Sequence, residues 1–138
     1  MKRIIALYGH TNCGKTATLN YLREMIRDNG GVSLSANPPY NGDQPETFKF
    51  KDMIICVCPG GDNVYAIEQN LTYSKSKNAD IVITASRCRG DGPALIDKTA
   101  KGHQIDTEWY PKSYEYRLSS ATQDACNREY AKVIFNIL

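Results

Sequence analysis

The stretch GHTNCGKT, residues 9–16, matches the phosphate-binding pattern G-x-x-x-x-G-K-[ST] at each of its fixed positions. An apolar run of strand length, residues 3–8, precedes this stretch, and residues 15–28 follow it with apolar side chains at helical spacing. A strand, a glycine-containing loop and a helix in this order surround a phosphate group with backbone N–H groups and a helix N-terminus. The stretch therefore predicts a nucleotide-binding loop, and its flanks favour this interpretation over a chance match in a turn.

Individual residues of this loop have distinct expected roles. Lys15 would reach the β- and γ-phosphates of a nucleotide, and the Thr16 hydroxyl would hold Mg²⁺. Gly9 and Gly14 allow the turn, and Gly14 lets the backbone approach the ligand because it has no Cβ. The predicted nucleotide-binding residues are Gly9, Asn12, Cys13, Gly14, Lys15, Thr16, Ala17 and, from a later segment, Gly60.

The composition is ordinary for a globular chain. Of the 138 residues, 41% are hydrophobic and 23% are charged, which predicts a single nucleotide-binding domain over residues 1–138. The net charge of +2 does not indicate nucleic-acid binding, and no run of about 18 apolar residues predicts a membrane span. Because the apolar run before Gly9 is too short for a signal peptide, we expect a cytoplasmic location.

The five cysteines do not indicate a zinc site, because they include no C-x-x-C pair and the two histidines are far apart in sequence. Cys56 and Cys58 lie in an apolar run and are predicted to be small buried side chains. Cys13 lies inside the loop of residues 9–16. It is interpreted as a small residue in a tight turn, and the alternative is a thiol whose oxidation prevents nucleotide binding.

The rest of the chain alternates between strand and helix patterns. Residues 53–58 and 80–85 are continuous apolar runs, typical of parallel strands buried on both faces of a sheet. Residues 47–50 alternate between polar and apolar and predict an exposed strand, which a tight turn at residues 51–52 joins to the next strand. These patterns predict a three-layer α/β fold with a mostly parallel sheet and helices on both faces. Because residues 9–16 resemble the phosphate-binding loop of P-loop NTPases, the resemblance implies the P-loop NTPase form of this fold, with one antiparallel edge strand.

Smaller signals set the expected boundaries of the later elements. Asp62 or Asn63 is expected to cap the helix that follows the central strand. A short helix is predicted over 93–101, and a last strand over 103–109. Ser120, with Gln123 three residues later, forms a capping box that predicts the start of the closing helix.

Ligands of such sheets bind at the carboxyl ends of the strands, which places residues 9–16, 60–62 and 86–92 along one edge. Arg87 and Arg89 in the third segment would suit phosphate, either as an arginine finger from the same chain or as a lid over a phosphorylated product. The alternative is a solvated basic loop. We therefore expect the site to comprise these three segments.

By these features the chain resembles the P-loop NTPase superfamily. Residues 9–20 are similar to the first motif of translation-factor-class GTPases, especially the G domain of the bacterial ferrous-iron transporter, and residues 48–60 share the strand, turn and strand of that class. The resemblance covers about the first 62 residues. It implies that Gly60 matches the glycine of D-x-x-G, and that Thr47 or a residue of the 36–46 loop matches the first switch.

The chain departs from that class in its later motifs. The aspartate of D-x-x-G falls on Val57, no N-K-x-D follows the strand that ends near Ala85, and no S-A-K follows the last strand. ATP is therefore at least as compatible with the sequence as GTP. Asp62 is the nearest carboxylate beyond the central strand, and it would hold Mg²⁺ through water or orient an attacking water. Its alternative role is the helix cap.

These features predict Mg²⁺-dependent binding and slow hydrolysis of ATP or GTP, with a protein partner that responds to the nucleotide state. The predicted catalytic residues are Lys15, Asp62, Arg87 and Arg89, and the predicted metal ligands are Thr16 and Asp62. Two alternatives stay open. One is a kinase for nucleosides or other small molecules, and the other is a nucleotide-binding scaffold without catalysis, which the apolar Val57 favours.

Overall fold

Six strands and four helices make up the fold in the computed structural model, which describes residues 1–36, 38, 42–114 and 118–138. The strands are β1 (Arg3–Tyr8), β2 (Val32–Ser33), β3 (Glu46–Phe50), β4 (Met53–Cys58), β5 (Ile81–Ser86) and β6 (Thr107–Pro111). The helices are α1 (Lys15–Asp28), α2 (Val64–Ser76), α3 (Asp91–Gly102) and α4 (Ser120–Phe135).

The strands form one mixed sheet in the order β2-β3-β4-β5-β1-β6. β1 is parallel to both β5 and β6, and β4 is parallel to β5. β3 runs antiparallel to its neighbours β2 and β4. Since β5 lies between β1 and β4, the loop after β1 has the ends of β5 and β6 as its immediate neighbours.

Side chains on the two faces of the sheet pack into separate cores. Ile5 and Leu7 of β1 belong to the core under α1 and α4, whereas Ile4 and Ala6 belong to the core under α2 and α3. The helix residues in these cores include Leu19, Leu22 and Ile26 of α1, Ile134 of α4, Ile67 and Leu71 of α2, and Ile96 of α3. The fold is therefore α/β, with a mostly parallel sheet between two pairs of helices.

The predicted antiparallel edge strand is not at the edge. β3 is the antiparallel strand, but the two-residue strand β2 covers its outer side. The prediction that this strand is exposed is also wrong, because Glu46, Thr47, Phe48 and Phe50 are all buried. Of the polar residues in β3, Glu46 and Thr47 are buried with hydrogen-bond partners in Arg27 and Tyr73, whereas Lys49 is exposed.

Several predicted boundaries shift by one to four residues. α3 begins at Asp91 and not at residue 93. β6 begins at Thr107 and not at residue 103, because His103 forms the C-cap of α3 and Gln104 has a left-handed backbone conformation. Asn63 caps α2, with its side chain accepting a hydrogen bond from the Ala66 N–H at 2.9 Å.

The cap of the closing helix also lies one residue earlier than predicted. Ser119, and not Ser120, caps α4 by accepting a hydrogen bond from the Thr122 N–H at 3.2 Å. Neighbouring serines have equal capping chemistry, so the pattern alone does not choose between them. None of the helices in the described part of the chain is both long enough and apolar enough to cross a membrane.

Gly61 lies where the chain after β4 passes closely over β5. A Cβ at this position would overlap the carbonyl oxygen of Ala85 and lie 3.0 Å from the backbone nitrogen of Ser86. We expect Gly61→Ala to lower the free energy of unfolding by about 1–3 kcal/mol, because two backbone segments must separate. Urea unfolding measures this change.

Gly102→Ala is the matched control for this prediction. Gly102 ends α3, and a Cβ there would meet no atom within 4 Å. This variant is expected to be as stable as the wild type or slightly more so. Equal unfolding energies for the two alanine variants would contradict the close approach of Gly61 to β5.

Candidate phosphate-binding site

The loop of residues 9–16 joins β1 directly to α1. Asn12 and Gly14 have left-handed backbone angles, with φ of 62° and 92°, a turn geometry that points successive N–H groups to one side. Gly14 is the N-cap of α1, and because glycine has no side chain it makes no side-chain capping hydrogen bond to the first turn of this helix. The N–H groups of this turn are therefore open to an anionic ligand.

A small polar cluster lies against Gly14. A Cβ on Gly14 would overlap the hydroxyl oxygen of Tyr114 and the side-chain oxygen of Asn127. These two side chains are hydrogen-bonded to each other, and the Thr18 hydroxyl donates to the Asn127 oxygen at 3.4 Å. Because Gly14 has no side chain, Tyr114 and Asn127 can pack directly against the loop.

Two buried lysines hold the loop from its ends. Lys15 is 5% exposed, and its ammonium group donates to the Gly9 carbonyl oxygen at 2.6 Å. Lys112 is 2% exposed, and its ammonium group donates to the Cys13 carbonyl oxygen at 2.9 Å. Burial lowers the pKa of Lys112, and the ring of Tyr114 lies 4.0 Å from its nitrogen.

Within the part of the chain that the structure describes, neither lysine has a carboxylate partner. The ion pairs among residues 1–36, 38, 42–114 and 118–138 involve other cations, namely Lys2, Arg3, Arg23, Arg27, Arg128 and Lys132. Burial of a charged group without a counter-ion is unfavourable, and a bound anion relieves that cost. The loop therefore combines N–H groups, a helix N-terminus and two ammonium groups, all of which favour phosphate.

The predicted metal residue Thr16 contacts a carboxylate that the sequence did not single out. Its hydroxyl oxygen lies 3.2 Å from a carboxylate oxygen of Asp43 and 3.2 Å from the Pro59 carbonyl oxygen. Gly60 lies beside the same carboxylate, because a Cβ on Gly60 would be 3.3 Å from the Cβ of Asp43. The end of β4, the 42–45 loop and the start of α1 therefore meet at Thr16.

Arg87 and Arg89 lie on the other side of the loop. β1 and β5 end in register, with Tyr8 opposite Ser86, and the Gly9 N–H donates to the Ser86 carbonyl oxygen at 3.2 Å. The two arginines are exposed. The residues that line a cleft of about 420 Å³ at this position are Gly9, His10, Thr11, Arg87, Cys88 and Arg89. The structure thus brings both predicted arginines beside the loop.

Asp62 lies between these two sides of the site. It is exposed, it lines a cleft of about 160 Å³ together with Arg87 and Arg89, and it lines another of about 360 Å³ together with Asp43. Its alternative role as the cap of α2 is excluded, because Asn63 is the cap. The catalytic and metal-binding roles of Asp62 stay predictions.

Comparisons of the chain with protein-family models, with curated proteins and with solved structures found no match. The functional conclusion therefore depends on the geometry of the site.

Two positions that the resemblance singles out are not available to a nucleotide. Val57, which occupies the aspartate position of D-x-x-G, is fully buried in the core under α1 and α4. Thr47 is 2% exposed, and its hydroxyl lies 2.6 Å from the hydroxyl of Tyr73 on α2. An acid at the site must therefore come from another segment, and Asp43 of the 36–46 loop is in contact with Thr16.

The cysteines in the strand are buried as predicted. Cys56 and Cys58 are fully inaccessible, and burial raises the pKa of Cys58 to about 12, so its thiol stays protonated at neutral pH. Cys13 is also buried, at 7% exposure, and a Cβ on Gly9 would lie 2.7 Å from its sulfur. This packing favours the interpretation of Cys13 as a small residue in a tight turn.

Four residues of the site were missed from the sequence. Asp43 had one signal, since the resemblance points to the 36–46 loop as the first switch. Lys112 and Tyr114 follow β6, whose carboxyl end lies at the same edge as that of β1. A prediction that ended β6 at Pro111 would have placed Lys112 and Tyr114 at the site. No pattern in the sequence identifies Asn127 on α4 as a site residue.

Proposed function

We propose that the chain binds a nucleoside triphosphate with Mg²⁺ at residues 9–16 and hydrolyses it slowly. The observation that carries this proposal is the pair of buried ammonium groups, Lys15 and Lys112, which lie against the loop without a carboxylate partner among the described residues. A triphosphate is compatible with this arrangement, because the first turn of α1 supplies N–H groups beside the two ammonium groups.

Each part of the site has a chemical task in this proposal. The loop N–H groups bind phosphate oxygens, and Lys15 exchanges its contact with the Gly9 carbonyl for the β- and γ-phosphates. The Thr16 hydroxyl would hold Mg²⁺, which would supply positive charge to neutralise the phosphates. Arg87 and Arg89 approach from the adjoining cleft and stabilise charge that develops on the transferred phosphate.

Hydrolysis of the nucleotide is expected to be slow, because β4 has Val57 where the GTPases that the chain resembles have the aspartate of D-x-x-G. Asp62 is exposed and lines the cleft that contains the two arginines, so it is the residue proposed to position the attacking water. ATP and GTP are both retained as substrates, because the chain lacks the N-K-x-D motif. The cytoplasmic location and the protein partner stay predictions.

Calorimetric titration with ATP and with GTP, each with and without Mg²⁺, tests the proposal when followed by a phosphate-release assay. Binding of either nucleotide with slow release of phosphate is the expected result. Tight binding without release would favour the scaffold alternative. Failure of both nucleotides to bind would remove the basis of the proposal.

Phosphoryl transfer to a small acceptor is the second candidate function. The observation in its favour is the cleft of about 420 Å³ beside the loop, where Arg87 and Arg89 are positioned to hold an acceptor that carries its own phosphate. Transfer of labelled γ-phosphate from ATP to a nucleoside monophosphate, instead of to water, would identify this activity. Release of free phosphate at the same rate with and without such acceptors would argue against it.

A further inference from the structure

Asp43 and Thr16 place two oxygen atoms next to each other beside the loop of residues 9–16. The carboxylate oxygen and the hydroxyl oxygen are 3.2 Å apart. Asp43 is exposed, so its carboxylate is open to solvent and to a ligand. The Pro59 carbonyl oxygen, also 3.2 Å from the Thr16 hydroxyl oxygen, can accept the hydrogen bond that this hydroxyl donates. The lone pairs of the hydroxyl oxygen are then left for a cation.

We propose that Asp43 is the carboxylate ligand of the Mg²⁺ site, in place of an acid after β4. This inference rests on the proposed function, since the metal would arrive with the nucleotide. In octahedral Mg²⁺ sites, with metal–oxygen distances of 2.0–2.1 Å, adjacent ligand oxygens are about 2.9 Å apart. The observed 3.2 Å between the Asp43 and Thr16 oxygens comes close to this separation without movement of the backbone.

The small number of protein ligands also fits Mg²⁺. Among the residues that the structure describes, no group of three or more His, Cys, Asp or Glu side chains could hold a metal by itself. Mg²⁺ commonly binds through one or two carboxylates together with substrate phosphates and water. A pair such as Thr16 and Asp43 is therefore sufficient when phosphates supply the other ligands.

Arg23 fixes the segment that carries Asp43. Its guanidinium group is fully buried and donates to the carbonyl oxygens of Gly42, at 3.0 Å, and of Gln44. These two residues flank Asp43 on either side. Asn20 adds a hydrogen bond of 3.3 Å to the Gly42 carbonyl oxygen. Arg23 is therefore a positioning residue for the carboxylate.

The location of Arg23 links the two proposed ligands. It lies on α1, the helix whose first turn contains Thr16. The same rigid helix thus presents the hydroxyl ligand and holds the loop with the carboxylate ligand. Asp62 has no comparable support, because the described residues provide no hydrogen bond to its side chain and Asn63 forms the adjacent helix cap.

Asp43→Asn tests the proposal, because it keeps the size of an exposed side chain and removes its charge. Without Mg²⁺ the variant is expected to bind ATP or GTP as tightly as the wild type or more tightly, since repulsion between the carboxylate and the phosphates is gone. The increase in nucleotide affinity that Mg²⁺ causes should be smaller in the variant than in the wild type by a factor of about 10 or more. Calorimetry at a series of Mg²⁺ concentrations measures both effects.

Asp62→Asn is the matched control, with the same chemical change on the other exposed carboxylate. It is expected to retain the Mg²⁺-dependent gain in affinity. The Arg23→Lys variant should bind metal-free nucleotide as tightly as the wild type. It should lose part of the Mg²⁺-dependent increase in affinity, because a lysine has fewer donors for the loop carbonyls. A merely structural role of Arg23 would lower both affinities together.

A full Mg²⁺-dependent gain in Asp43→Asn would overturn the inference and leave the proposed function intact. Loss of the gain in Asp62→Asn with retention in Asp43→Asn would also overturn it and assign the metal to Asp62. Failure of the wild-type protein to bind either nucleotide would overturn the proposed function, and this inference with it. Loss of the gain in Asp43→Asn alone supports the assignment.

Discussion

Lys15→Ala is expected to lower the affinity for nucleoside triphosphate by at least about 100-fold. The ammonium group of Lys15 is buried against the loop, where it would meet two phosphates. A hydrogen bond to a charged group contributes about 1.5–3 kcal/mol, and about 1.4 kcal/mol corresponds to a factor of ten in affinity. Calorimetric titration with ATP and with GTP measures the loss.

The same substitution should leave the fold nearly as stable as before. The hydrogen bond to the Gly9 carbonyl is lost, but a buried charge without a carboxylate partner among the described residues is removed as well, so we expect a change within about 1 kcal/mol. Lys98→Ala, on the exposed surface of α3, is the control and should alter neither quantity. Unchanged affinity in Lys15→Ala would contradict a phosphate site in this loop.

Glu46→Ala is expected to lower the free energy of unfolding by about 3–5 kcal/mol. Glu46 is fully buried, and its two carboxylate oxygens accept hydrogen bonds from Arg27 at 3.0 and 3.2 Å. It also lies 3.8 Å from the guanidinium group of Arg23, whose own pKa is lowered by burial and raised by Glu46. Loss of the carboxylate would leave a buried guanidinium group without its counter-ion.

Urea unfolding of Glu46→Ala beside Glu129→Ala measures this contribution. Glu129 pairs with Lys132 at 3.0 Å on the exposed face of α4, where an ion pair contributes about 0.5 kcal/mol or less. The two variants lose the same group, so their difference reports the effect of burial. Similar unfolding energies would mean that the guanidinium of Arg23 reaches water when its partner is absent.

The fold class and the loop were predictable because their signals are local. The β1–loop–α1 unit has its bounds where the spacing of apolar residues predicts them, and the runs that form β4 and β5 are apolar along their length. Such patterns need no information about distant residues. The order of the strands has no such local signal. The position of β5 between β1 and β4 depends on which long-range strand pairing is most stable.

The missed residues of the site depend on contacts between distant segments. Lys112 and Cys13 are 99 positions apart in sequence, and Asp43 reaches Thr16 from a loop whose carbonyl groups accept hydrogen bonds from Arg23. An error in a boundary added to this difficulty. A last strand that ends at 109 stops short of Lys112, whereas β6 ends at Pro111, the residue directly before it.

The support under Gly14 has a consequence for the synthesis of the protein. The phosphate-binding pattern ends at residue 16, but β1 pairs with β5 and β6, and the loop is contacted by Lys112, Tyr114 and Asn127. A nascent chain therefore carries the motif long before it has the site, because these distant contacts must form first. A nucleotide that bound the assembled loop as proposed would stabilise chains that already contain β5, β6 and α4 over shorter ones by mass action.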